Sequence, residues 1–149
     1  MNSLRILGAF VALMIGLTVY AAYHEKTVTA TAVIGGRSHE VLVANSPQAH
    51  YRGLSGKTPE TLGAAGMYFP FSDSAERTFV MRGMLFPLDF IWLRDGRVVK
   101  IEENVPFPEP GESPQFVYSK PEKADGVLEF PAGFVQKSRV IIGDMVIIR

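Results

Sequence analysis

The run Phe86-Pro87-Leu88-Asp89-Phe90-Ile91-Trp92-Leu93-Arg94-Asp95-Gly96-Arg97-Val98-Val99-Lys100-Ile101 decides the fold. Asp95-Gly96 is the strongest two-residue hairpin signal in the chain, because both central positions of such a turn need a positive φ. It joins a strand over Leu88–Leu93 to one over Arg97–Ile101. The first strand is apolar at nearly every position rather than alternating, the pattern of a strand covered on both faces. Asp89 interrupts it, and a carboxylate there needs a partner, since an unpaired buried charge costs several kcal/mol.

Outward from this hairpin the strand signals continue. Thr27 to Ala44 reads as a second hairpin, with Val28, Ala30, Ala32 and Ile34 on one face and Gly35-Gly36 at the turn. Ser46-Pro47 opens a short helix through Tyr51, with serine as N-cap, proline at the first helical position and Gly53 near the end. Thr58-Pro59-Glu60 repeats that signal and predicts a one- or two-turn helix closed by Gly63. Further strands are expected at Met67–Phe71, Thr78–Arg82, Phe116–Tyr118, Gly126–Phe130 and Met145–Ile148, and a short helix at Pro131–Lys137. Between Val105 and Pro114 the chain carries Pro106, Pro108, Glu109, Pro110 and Gly111, which excludes regular structure and marks a candidate binding loop. The expected fold is mostly β, at the margin of α+β: a compact antiparallel β-sandwich or barrel with two or three short flanking helices.

No charged residue occurs from Ile6 to Tyr23, an 18-residue run at the threshold for a membrane-spanning helix and longer than an ordinary signal-peptide core. Val19 and Ala21 also fit the small-residue pattern of a cleavage site. Residues 1–26 are therefore read as a signal peptide or an uncleaved membrane anchor, with length favouring the anchor. Arg5 ahead of the run keeps the N-terminus inside and sends the body across. Residues 27–149 are expected to form a single exported β-rich domain, extracytoplasmic, periplasmic or cell-surface, and either membrane-anchored or secreted.

The 149 residues hold 15 basic and 15 acidic side chains and no cysteine. Disulfides and thiolate-bound zinc are excluded, and a body of 13 basic and 14 acidic residues lacks the clustered basic face that nucleic acid requires. No Gly-rich phosphate loop occurs, and His24, His39 and His50 lack ligand spacing. Glu102, Glu103, Glu109 and Glu112 lack the tight alternation of a calcium loop. Ser55 in Gly53-Leu54-Ser55-Gly56 lacks the five-residue pattern of a nucleophile elbow. Neither a metal nor a cofactor is expected. The polar candidates are Asp89 and Glu129, each set among apolar neighbours, with Arg52 and Arg82 as cations in structured surroundings.

Six short patterns follow one another: Tyr51-Arg52-Gly53-Leu54, Ala65-Gly66-Met67-Tyr68-Phe69, Phe79-Val80-Met81-Arg82, Pro87-Leu88-Asp89-Phe90-Ile91, Val127-Leu128-Glu129-Phe130-Pro131-Ala132-Gly133 and Gly143-Asp144. This succession, over roughly Val41 to Ile148, resembles the uncharacterised bacterial and archaeal family called Domain of Unknown Function 192. Ser55 stands where that family usually has methionine after Arg-Gly-Leu. Phe79-Val80-Met81-Arg82-Gly83-Met84 stands where it reads Phe-Trp-Met-Lys-Asn-Thr. The resemblance implies a compact β domain, often exported, and attaches no activity to it. The favoured function is a non-catalytic ligand-binding or accessory domain facing the cell envelope. It would touch the membrane through its N-terminal segment and hold a small ligand or envelope component at the sheet face or under the proline-rich loop. The alternative is a small hydrolase of envelope polysaccharide using Asp89 and Glu129 as paired carboxylates. A third reading is a structural partner in a membrane complex.

Overall fold

The computed structural model describes residues 27–149 together with residues 7, 8, 10, 11, 13, 14 and 16. The N-terminal hydrophobic helix expected within residues 1–26 falls largely outside the described residues. No helix among the described residues is long and apolar enough to cross a membrane.

Within residues 27–149, nine strands and two short helices follow one another: β1 (Thr29–Ile34), β2 (Arg37–Val43), α1 (Pro47–Arg52), β3 (Gly66–Ala75), β4 (Thr78–Val80), β5 (Leu88–Arg94), β6 (Arg97–Val105), β7 (Phe116–Tyr118), β8 (Ala124–Pro131), α2 (Phe134–Ser138) and β9 (Val146–Ile148). Both hairpins expected from turn chemistry are present. Asp95 and Gly96 have φ of 51° and 70°, and Gly35 and Gly36 have 56° and 76°, so each turn takes two positive φ values in succession. Ser46 caps α1 by accepting from the Ala49 amide at 3.1 Å, and Pro47 stands in the first turn.

Seven strands make one sheet in the order β6-β5-β8-β3-β2-β1-β9, while β4 and β7 pair separately as a two-stranded ribbon. The sheet curls until its edges meet. Val98 donates to Asp144 O at 2.9 Å, Gly143 to Val98 O at 2.8 Å and Val146 to Gly96 O at 2.8 Å. Closure explains why Val98 on β6, Val146 and Ile34 on the opposite margin, and Leu128 in the middle share one buried cluster with Phe130 and Val135. That cluster is the barrel interior. The other face of β3, β5 and β8 carries a second cluster of Phe69, Phe90, Trp92 and Val127, covered by Met81, Met84 and Val117 from the ribbon and its flanks. The barrel form of the expectation therefore holds in place of a flat sandwich, and β5 and β8 are buried on both faces.

Two expectations need correction. The sheet is not wholly antiparallel: β2 and β3 pair in parallel, Val41 opposite Gly66 to Val43 opposite Tyr68. The chain from Asn45 to Ala65, with α1, makes the crossover that parallel pairing demands. The segment Thr58–Gly63 forms turns, not a helix. The Thr58 amide is taken by Thr61 Oγ1 at 2.9 Å, and Gly63 turns left-handed at φ 69°. Hydroxyl groups that bond locally compete with helical pairing in so short a piece.

Candidate functional site

β8 is the central strand of the polar problem. In its register with β3 and β5, Glu129 lies between Met67 on one side and Phe90 on the other. Paired residues in an antiparallel ladder point to the same face, so Glu129 joins the outer cluster while Asp89, opposite Phe130, faces the barrel interior. The two carboxylates thus lie on opposite sides of the sheet and cannot flank a common glycosidic bond. The paired-carboxylate arrangement is corrected by this parity.

Asp89 is wholly buried. Its Oδ1 accepts from the Asn104 amide at 2.8 Å and its Oδ2 from the Val135 amide at 2.9 Å. Both donors follow from local structure. The register shift between Leu88 and Phe90 sets Glu103 and Asn104 against Asp89 alone, and Asn104 adopts φ 54°. Helix α2 begins at Gly133, which has no side chain to cap it, and Asp89 supplies the missing acceptor from another strand. Asp89 is therefore a structural carboxylate, matched by backbone amides rather than by Arg52 or Arg82.

Glu129 is only 5% exposed, and its Oε2 has no hydrogen-bond partner among the described residues. Burial pushes its carboxyl up to about 8. The carboxyl lines a cavity of about 340 Å³ between α1, the outer face of β3 and β8, and the segment from β4 to Met84. Phe69, Phe71, Phe79 and His50 form its aromatic wall, with Arg52 and Arg82 among the residues lining it. The rings meet edge to face: Phe69 and Phe79 at 5.0 Å, His50 and Phe71 at 5.1 Å. His50 is held below its ordinary pKa by burial foremost, with the nearby Arg77 charge adding to that and the carbonyls of Ala44 and Pro70 opposing it. The Arg82 guanidinium lies 4.1 Å over the Tyr51 ring and donates to Tyr51 O at 3.2 Å. Gly53, with φ 50° and ψ −132°, closes α1 directly above the carboxyl; a Cβ there would lie 3.5 Å from the Phe69 ring and 3.9 Å from Glu129 Oε2.

Three of the four polar candidates, Arg52, Arg82 and Glu129, thus meet at one cavity, and Asp89 does not. Ser55 donates its hydroxyl to Arg82 O at 2.6 Å, a strap between the two loops. None of Pro106, Pro108, Glu109, Pro110 and Gly111 lines the cavity. Their loop folds on itself through a bond from the Glu109 amide to Glu112 Oε2 at 3.0 Å, and Phe107 anchors it on the outer cluster. A second depression of about 440 Å³ lies beyond Arg52 and Gly53, with Asn45, Lys57 and Met67 in its lining, and among the described residues it holds no buried unpartnered polar atom. Among the described residues no group of three His, Asp or Glu side chains is placed to hold a metal ion. Sequence reasoning missed His50, Phe71 and Phe79 as site residues, since a lone histidine and scattered phenylalanines read as surface and core.

With the geometry in place, comparisons define the class. The family profile of Domain of Unknown Function 192, described as an uncharacterized ACR, matches residues 29–148. The chain belongs to this family. Two crystal structures share the fold. One, a candidate transcription regulator from Sinorhizobium meliloti 1021, is 27% identical with a TM-score of 0.66, covering 82% of this chain and 95% of that one. The other, a protein of unknown function from Novosphingobium aromaticivorans DSM 12444, is 25% identical with a TM-score of 0.62, covering 81% and 84%. Among curated proteins none matches the chain. Five of the six patterns that carry the family resemblance contribute to the cavity lining: Tyr51 to Leu54, Phe69, Phe79 with Val80 and Arg82, Leu88, and Glu129.

Proposed function

We propose that residues 27–149 form a non-catalytic binding domain, exported to face the cell envelope, that holds a small molecule in the Glu129 cavity. One observation carries this reading: a buried carboxyl whose Oε2 lacks a hydrogen-bond partner among the described residues lines an aromatic cavity built from five separate family patterns. An apolar pocket with a few convergent polar groups and a perturbed acid is the usual form of a small-molecule site. Catalysis is not favoured. Asp89 is committed to two amides on the other face, and the Ser55 hydroxyl is spent on Arg82 O. The uncharged run from Ile6 to Tyr23 behind Arg5 supports export, with the membrane as the partner of the N-terminal segment. A regulator's role, taken from the Sinorhizobium structure, would call for a basic face, and 15 basic against 15 acidic residues do not favour one.

The test is a thermal-shift screen of the full-length chain in mild detergent against small aromatic and alicyclic compounds, beside Val80→Trp, which adds bulk at the cavity lining. A ligand at 100 times its Kd stabilises by about 2.7 kcal/mol. Compounds that raise the melting temperature of the parent and not of Val80→Trp support the reading. Equal shifts in both proteins, or none in either, reject it.

A further inference from the structure

We infer that the Glu129 cavity takes an organic ammonium ion, amine first, with the charged nitrogen against Glu129 and its apolar body among the rings. The inference rests on the binding reading above and specifies its ligand.

Glu129 Oε2 is buried and without a partner although Arg52 and Arg82 line the same cavity. The Arg82 guanidinium is turned to the Tyr51 ring and carbonyl. The side chains flanking Glu129 across the sheet are Met67 and Phe90, which offer no donor. Burial holds a proton on that carboxyl, and a cation is the occupant that gains by displacing it and pairing with the ionised group. Phe69, Phe79 and His50 line the cavity beside the carboxyl and offer an aromatic lining to the apolar body of such a cation. An anion has no such gain, since ionising that carboxyl would set two negative charges together, and a neutral alcohol would supply only an uncharged bond, roughly half as strong as a charge-assisted one.

The ionisable groups facing the carboxyl across this cavity are His50, Tyr51 and Arg52 from α1 and its end, and Arg82 beyond β4. At neutral pH the empty site holds a proton on Glu129, since burial raises that carboxyl to about 8. An entering ammonium ion replaces it: one cation binds, one proton leaves to solvent, and the net charge of the site is unchanged. Affinity for an ammonium ion should therefore climb as pH rises from about 6 to about 8, approaching tenfold per pH unit. An uncharged ligand shows no such climb.

Benzylamine, benzyl alcohol and benzoate share one ring and differ in charge. Isothermal titration of the full-length chain with each, at about pH 6 and about pH 8 in buffers of different ionisation enthalpy, separates the outcomes. The expected result is benzylamine at least roughly tenfold tighter than benzyl alcohol at the higher pH, with about one proton released per amine bound at about pH 6 and about half a proton at about pH 8. Glu129→Gln should lower benzylamine to the affinity of benzyl alcohol. Benzyl alcohol or benzoate binding as tightly as benzylamine, or amine binding without proton release, overturns the ammonium assignment and leaves the cavity a binding site. Failure of all three probes, with the screen above also blank, removes the binding reading itself.

Discussion

Glu129→Gln isolates the one buried acid that the fold leaves unmatched. The folded chain holds the carboxyl proton up to about 8, whereas the ordinary value is 4.5. Because the folded value lies above the unfolded one, the native state keeps a proton that the unfolded state releases. The contribution is complete below about 4.5 and is lost as pH rises to about 8, after which the full penalty of a buried charge applies. Each pKa unit corresponds to about 1.36 kcal/mol, so between about pH 5 and about pH 8 the parent chain loses about 3 kcal/mol through this group alone. Glutamine has the shape of the protonated acid and cannot ionise. Its stability relative to the parent should be within about 1 kcal/mol at about pH 5 and about 3 kcal/mol higher at about pH 8. His50, held low, acts in the opposite direction, losing stability as pH falls through its range, but it is present in both proteins and drops out of the difference. Urea titrations of the full-length chain can be followed by the fluorescence of Trp92, the single tryptophan and wholly buried. Parallel pH curves for the two proteins would refute the reasoning, since they would mean that the carboxyl is solvated or matched.

Asp89→Asn should cost about 1–3 kcal/mol in the same titration, because one of the Asn104 and Val135 amides would then face an NH2 group instead of an acceptor. Probe binding in the cavity should survive this change, since Asp89 faces the barrel interior. Gly53→Ala should cost about 1–3 kcal/mol, as φ 50° with ψ −132° is a conformation reserved to glycine, and thermal melting measures it. A reporter that works only outside the cytoplasm, fused after Arg149, should be active. Activity of a cytoplasm-restricted reporter instead would reject export.

Local chemistry in the sequence carried most of the fold. Asp95-Gly96, Gly35-Gly36 and Ser46-Pro47 each specify a conformation within two or three residues, and each sits where that chemistry placed it. The apolar run Leu88–Leu93 declared a strand covered on both faces, which is what a sheet with one cluster inside and another outside provides. The misplaced helix at Thr58–Gly63 shows the limit of a start signal. The serine-proline pair before α1 is followed by residues that extend the helix, whereas Thr61 returns its hydroxyl to Thr58 after three residues. The parallel pairing of β2 with β3 depends on where the crossover over residues 45–65 lands, and no residue within it announces the outcome.

The polar site was half legible for a reason that lies in strand parity. Asp89 and Glu129 present the same local picture, a carboxylate between bulky apolar neighbours on a strand. Their difference arises only when β5 and β8 are put in register, and a shift of one residue would bring both to one face. With Asp89 opposite Phe130, its carboxylate lies against the bulge at Asn104 and the uncapped start of α2, two amides that need an acceptor. With Glu129 opposite Phe90, its carboxylate lies against Phe69 and beneath Gly53, where nothing donates. One register thus makes one acid a structural tie and leaves the other facing a cavity. The same register gathers Arg52, Phe79, Arg82 and Glu129, up to 77 positions apart in the chain, around that cavity. Arg52 and Arg82 were chosen as the cations in the most structured surroundings, and they meet Glu129 because α1 and the β4 segment both close over the outer face of β8.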